Sequence, residues 1–285
     1  MAEGLPTRAR EPIADLIGDD SAPPRLAPRE RRADPRMASP LMSETREPET
    51  FSTKQAAREY SWRALREASV ARFPFPIAGR IPNFSGAERA ADRLFELEPW
   101  ASARTLKCNP DSPQRPVREA ALRRGTTVLV PTPRLTGGFM RLDPSKIPAD
   151  KYREASMMSK VAVWSEPVSL DEIPQLDGIV CGSVAVTTRG ERCGKGHGFA
   201  DLENAILHEL GHVPVPIATT VHELQIVGGF PTEATDVRLQ AVVTPSEIHL
   251  SGATPTAELL DASRLTAEDL ERMPVVAAAL AARGS

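Results

Sequence analysis

Arg192-Cys-Gly-Lys-Gly-His-Gly-Phe-Ala-Asp-Leu-Glu-Asn-Ala-Ile-Leu-His-Glu-Leu-Gly-His212 carries two chemical signatures that do not belong together. In its first half, Gly194, Gly196 and Gly198 let the backbone curl without Cβ clashes, so several N–H groups can face one point. Lys195 and Arg192 add cationic groups, and a helix starting near Asp201 adds the positive end of its dipole. A phosphate fits such a loop, and the Asp201 carboxylate suits a magnesium ion bridging phosphate oxygens. The same residues also suit an ordinary turn with Asp201 as a plain helix cap. The second half, His208-Glu-Leu-Gly-His212, matches the HExxH pattern of zinc hydrolases, with Glu209 placed to polarise a zinc-bound water.

The zinc reading lacks a third ligand. The extended pattern expects a histidine where Ala218 stands, and Glu223, Glu233 and Glu247 sit in no telling context. Pro214 and Pro216 stop the helix directly after His212. At about 100° per residue, Leu202, Ile206 and Val213 form an apolar stripe, while Asp201, Asn204, His208 and His212 share the other side. Glu209 falls inside the apolar stripe, which an ordinary amphipathic helix does not explain. His197 is placed either to meet a phosphate or to face solvent. His222 lies past a strand's C-terminal end, where α/β sheets bind ligands, or else serves its own loop.

The chain has 285 residues, enough for one α/β domain plus tails, with 26% charged residues and a net charge of −3. That balance favours neither a nucleic acid nor a membrane as partner. Three cysteines, Cys108, Cys181 and Cys193, form no CxxC pair and read as free thiols of a reducing cytosol. No apolar run approaches the length of a membrane span, so a soluble cytoplasmic protein is expected.

Residues 1–50 are rich in Pro, Arg, Asp and Glu and read as a disordered tail. Residues 51–250 carry the regular pattern. Lys54 to Ser69 is an amphipathic helix, and Ser85 caps a second one ending near Leu97. Arg104 to Cys108 and Thr126-Thr-Val-Leu-Val130 are strands, flanking a helix from Val117 to Arg124 that Gly125 stops. Residues 131–160 read as an irregular loop and Val161 to Trp164 as a strand. Gly178 to Cys181, Val184 to Val186, Val215 to Ala218, Leu239 to Val243 and Glu247 to Leu250 are further strands. Helices alternating with short apolar strands predict a mostly parallel sheet covered on both faces. Residues 251–285 form a tail with one amphipathic stretch, Ala267 to Ala282.

Read in order, Arg80-Ile-Pro-Asn-Phe84, Leu129-Val-Pro-Thr-Pro-Arg134, Gly182-Ser-Val-Ala-Val186, Gly194-Lys-Gly-x-Gly-Phe-Ala-Asp-Leu-Glu203, Thr219-Thr-Val-His222 and Val243-Thr-Pro245 make a set. The set resembles the 5-formyltetrahydrofolate cyclo-ligase (methenyltetrahydrofolate synthetase) family, above all its divergent methenyltetrahydrofolate synthetase domain-containing branch. The resemblance runs from about Lys54 to Leu250. It implies a three-layer α/β sandwich of the ribose-5-phosphate isomerase and CoA-transferase type. It also implies an ATP- and Mg2+-dependent ring closure of a folate-like substrate, with Lys195 and Arg192 in catalytic roles. Nucleotide contacts carry over to Lys54, Arg58, Arg192, Gly194, Lys195, Gly196, His197, Gly198 and Phe199, and a metal ligand to Asp201.

Three departures bear on substrate identity. Phe199 and Ala200 stand where the family has two tyrosines. A second magnesium carboxylate falls on Gln240, with Asp236 four residues earlier. Pro113 occupies the region of the family's folate-contacting acid, with Asp111 nearby. A family member with a non-folate substrate, including a thiamine-related one, or without catalysis, is the alternative reading; the zinc hydrolase is the third.

Overall fold

A strand covered on both faces has no polar side to show, and Thr127-Val-Leu-Val-Pro131 is buried along all but its first residue. The computed structural model describes residues 48–132, 135, 137–196, 198–257, 259–261, 265, 270–271 and 273–282. The tail expected over residues 1–50 therefore lies almost wholly outside the described residues. The chain runs α1 (Lys54–Glu67), β1 (Ala71–Arg72), β2 (Asn83–Phe84), α2 (Ala87–Leu94), β3 (Thr105–Cys108), α3 (Arg115–Arg123), β4 (Thr127–Pro131) and β5 (Phe139–Leu142). It continues through α4 (Tyr152–Ala155), α5 (Val161–Trp164), β6 (Glu166–Val168), β7 (Gly178–Cys181), β8 (Ala185–Val186) and β9 (Arg192–Cys193). Last come α6 (Phe199–Glu209), β10 (Ile217–Thr220), β11 (Ala241–Val243), β12 (Ile248–Leu250) and α7 (Pro274–Ala282).

Eight strands form one sheet in the order β12-β11-β10-β7-β3-β4-β5-β6. The five from β11 to β4 are parallel, and antiparallel pairing is confined to the β12 edge and the β4-β5-β6 edge. Alternation along each strand splits the core in two. Leu106, Val128, Val180, Ala218 and Val243 pack with Leu94, Val117, Ala121 and Leu122 of α2 and α3. Leu129, Ile179, Ile217 and Val242 point to the other face, against Ile206 and Leu207 of α6 and Val276 and Ala279 of α7. This is the α/β architecture, helices over both faces of a mostly parallel sheet, that the alternating pattern predicts.

The differences from expectation have local causes. Val161–Trp164 is a helical turn, not a strand; Val161 is buried against one face of the sheet while Val163 is exposed, so the run packs on the sheet instead of pairing within it. The stretch 131–160 holds β5, α4 and a 3-10 turn, because an antiparallel edge hairpin needs only a short apolar segment. α2 begins after Gly86, not Ser85. Gly86 has φ +91°, and a Cβ there would stand 2.8 Å from Pro245 Cγ. Val184 to Val186 contributes not to the main sheet but to a separate hairpin with β9, so the glycine loop hangs from that hairpin. Glu209 breaks the apolar stripe because its carboxylate accepts a backbone N–H from the C-terminal segment. No described helix is long and apolar enough to cross a membrane.

Arg118 of α3 fixes the loop after β3. Its guanidinium, 1% exposed, donates to the carbonyls of Asn109 and Asp111 and, through Nε and Nη2 at 3.1 and 2.9 Å, to that of Ser156. Arg118→Leu leaves those carbonyls buried without their donor. It should cost roughly 3 kcal/mol in urea unfolding, and a loss below about 0.5 kcal/mol would mean the loop needs no such anchor.

Candidate functional site

β3 continues through α3 on one face of the sheet to β4, whereas β7 continues through α6 on the other face to β10. The loops leaving these two adjacent strands therefore diverge, and a crevice opens between them at their carboxyl ends. A cavity of about 670 Å³ occupies that crevice. The loop after β3 supplies Asn109 and Asp111, the end of β7 supplies Gly182, and the hairpin delivers Arg192 and the glycine loop. α1, capped by Thr53 Oγ1, which accepts the Ala56 N–H, presents Lys54 and Arg58 one turn apart.

The loop has the backbone that its glycines predict. Gly196 and Gly198 adopt φ +105° and +68°, conformations that side chains with a Cβ rarely take. Gly198 is the N-cap of α6 and brings no capping side chain of its own. Arg58 Nε donates to the Gly194 carbonyl at 2.6 Å, tying α1 to the loop. Arg192, 7% exposed, donates to the Gly182 carbonyl through Nε and Nη2.

Cations and carboxylates are interleaved here. Lys54 Nζ reaches both Asp236 oxygens at 2.6 and 2.7 Å. Lys195 Nζ donates to Asp111 Oδ1 at 2.9 Å, and Arg192 Nη1 lies 3.5 Å from Asp201 Oδ1. Asp201 Oδ1 also accepts the Val237 N–H at 3.0 Å, which brings Asp201 beside the segment carrying Asp236. Beneath the cavity, buried Lys107 of β3 bonds Glu203 of α6 and, at 2.9 Å, Asn109 Oδ1, both of which line it. Burial pushes the Glu203 carboxyl up, while Lys107 opposes that shift.

Lys54, Arg58, Arg192, Gly194, Lys195, Gly196, Gly198, Phe199 and Asp201, assembled from sequence alone, all line this cavity; His197 lies outside the described residues. Gln240 does not line it, since its Oε1 accepts the Ile217 N–H at 2.7 Å in the sheet. Asp236 lines the cavity instead. Asp111, passed over as merely nearby, faces the cavity while Pro113 is buried behind it. Lys107 and Glu203 were missed; a lysine within an apolar strand was the available signal. Cys193 lines the cavity, but burial pushes its thiol up, as it does those of Cys181 and of Cys108, the last to about 11. Such thiols are poor nucleophiles.

The HExxH stretch sits at the other end of α6. His212 lies beyond the helix, after Gly211 at φ +81°, and His208 is 9% exposed. Glu209 and His212 line a separate hollow of about 470 Å³. Among the described residues no three His, Cys, Asp or Glu side chains gather at one point. His222 serves its own loop: Nδ1 accepts the Leu224 N–H at 3.2 Å, and the ring meets Phe84 edge-on.

A family model for the 5-formyltetrahydrofolate cyclo-ligase family matches residues 52–245. The methenyltetrahydrofolate synthase domain-containing protein of Bos taurus is 38% identical over 238 residues, covering 81% of this chain and 62% of that protein. The chain thus spans about three fifths of the length of that curated relative. The 5-formyltetrahydrofolate cyclo-ligase of Escherichia coli (strain K12) is 27% identical over 172 residues, 56% of this chain and 88% of the enzyme. A solved structure of 5,10-methenyltetrahydrofolate synthetase from Aquifex aeolicus aligns over 73% of this chain and 98% of that one, with TM-score 0.44 and 15% identity.

Gly198→Ala introduces no clash, because a Cβ there meets nothing within 4 Å, so its cost is backbone strain of about 1 kcal/mol, readable as a lower Tm. Burial lowers the pKa of His222 below its ordinary 6.5, and the Glu223 carboxylate 3.3 Å away opposes that only in part. A depressed histidine pKa contributes stability above the unfolded value and loses it as pH falls. Stability should therefore drop below about pH 6.5, and His222→Asn should flatten that dependence; an unchanged pH profile would exclude His222 as its source.

Proposed function

The chain belongs to the 5-formyltetrahydrofolate cyclo-ligase family, and on that premise we propose that its cleft binds ATP with Mg2+ and closes the ring of 5-formyltetrahydrofolate to 5,10-methenyltetrahydrofolate. One observation carries the reading. Lys54, Arg58, Arg192 and Lys195 converge on a glycine loop that leads through Gly198, the N-cap, into α6, beside the carboxylates Asp201 and Asp236.

The chemistry asks for positioning and charge neutralisation. The formyl oxygen takes the γ-phosphoryl group of ATP, releasing ADP. A neighbouring folate nitrogen then attacks the activated carbon, and phosphate leaves with the former formyl oxygen. Lys195 and Arg192 neutralise charge on the transferred group, while Lys54 and Arg58 hold the remaining phosphates from α1. Two adjacent carboxylates suit an ion that takes most of its ligands from phosphate and water. Asp201 and Asp236 would hold magnesium, which supplies charge neutralisation at the phosphates.

A second reading keeps the nucleotide site and changes the substrate. Phe199 is the sole aromatic residue among the described ones that line the cavity, and with Ala200 it brings no hydroxyl. Polar groups line the cavity instead: the Lys195–Asp111 pair, Asn109 and Glu203, the last bonded to buried Lys107.

Protein supplied with ATP, Mg2+ and 5-formyltetrahydrofolate should develop the near-ultraviolet absorbance of the methenyl product in step with ADP release. A flat trace alongside intact ATP binding would select the second reading. Lys195→Ala should raise the Kd for ATP roughly tenfold or more; unchanged affinity would remove Lys195 from the phosphate site.

A further inference from the structure

α6 ends on a residue that helix electrostatics disfavours. Glu209 puts a carboxylate in the last turn, at the negative end of the helix dipole. Its Oε1 accepts the backbone N–H of Leu260 at 2.8 Å, which ties the helix to a segment 51 residues further along. The Leu260 side chain, 3% exposed, joins the core cluster of Ala205 and Ile206. α7 fastens the same segment from beyond, with Val276 and Ala279 fully buried in that cluster.

Described residues of this region reach the cleft. Leu259, Leu260, Asp261 and Leu265 line the cavity that also holds the glycine loop. Leu260 and Leu265 belong with Phe199, Leu202 and Ala205 of α6 to one apolar cluster, and all five line the cavity. The cleft therefore pairs a cationic loop with an apolar wall. Two of those five, Leu260 and Leu265, lie beyond residue 245, where the family match ends.

We infer that Leu259, Leu260 and Leu265, beyond the family match, form a specificity element. It takes up the apolar part of the second substrate, and Glu209 is the positioning residue that holds it. The inference rests on the cleft being the substrate site proposed above. Glutamine can accept the same N–H, whereas alanine cannot, so the two substitutions separate the tether from the mere presence of a side chain.

Kd values for AMPPNP and for 5-formyltetrahydrofolate in the presence of AMPPNP should be measured on the full chain by calorimetry. Glu209→Ala should weaken 5-formyltetrahydrofolate about tenfold and leave AMPPNP within about twofold, with Glu209→Gln close to the parent protein. Leu259→Asp, at a position 55% exposed and so harmless to folding, should reproduce the selective loss. Equal weakening of both ligands, or of neither, would overturn the inference. If the parent protein binds AMPPNP but not 5-formyltetrahydrofolate, the folate reading alone fails. The wall is then judged by anilinonaphthalene sulfonate, an aromatic anion. Its fluorescence should fall in Leu259→Asp and Glu209→Ala, and unchanged dye binding would count against the wall.

Discussion

The cleft opens where the onward connections of β3 and β7 part, and side chains crowd Gly182 at that point. A Cβ on Gly182 would stand 2.9 Å from Asp111 Oδ2 and 3.0 Å from both Gln114 Oε1 and Ile81 Cγ1. That closeness brings the loop after β3 against the end of β7 just where their onward connections part to opposite faces of the sheet. The Gly182 carbonyl then receives Arg192, which positions the start of the glycine loop. Asp111, pressed against the same glycine, receives Lys195 from within it. Both cations are thus oriented around one glycine, Arg192 by its carbonyl and Lys195 by the carboxylate packed against it.

Features encoded within a few residues were legible in the sequence. The parallel strands follow from short β-branched runs, the loop from its alternating glycines, and the Lys54 and Arg58 pair from helical spacing. What escaped notice depends on partners far apart in the chain. Lys107 meets Glu203 across 96 residues and Lys195 meets Asp111 across 84. Glu209 was conspicuous but uninterpretable, since its partner is a backbone N–H that no side-chain pattern announces. Val161–Trp164 misled because a β-branched run can also pack on the face of a sheet as a helical turn, while the following Glu166–Val168 does the pairing at the edge.

Burying the two charges of the Lys107–Glu203 pair is expensive. Desolvation of both groups commonly outweighs their attraction, so such a pair adds little net stability. Lys107 alternates with Leu106 and Cys108 and so points through the central strand towards α6. The bond joins sheet to helix directly beneath the cavity, and loss of either partner strands a charge in the core. It sets the spacing between α6 and the strand ends more than it holds the fold together.

Lys54, Arg192 and Lys195 each already lean on a carboxylate. The site therefore projects little field into solvent, although cations crowd it. An incoming polyanion is not drawn from a distance; it exchanges places with groups that the protein carries as internal counterions. Capture then depends on collision and rearrangement, and its rate changes only weakly with ionic strength, unlike that of an open basic patch.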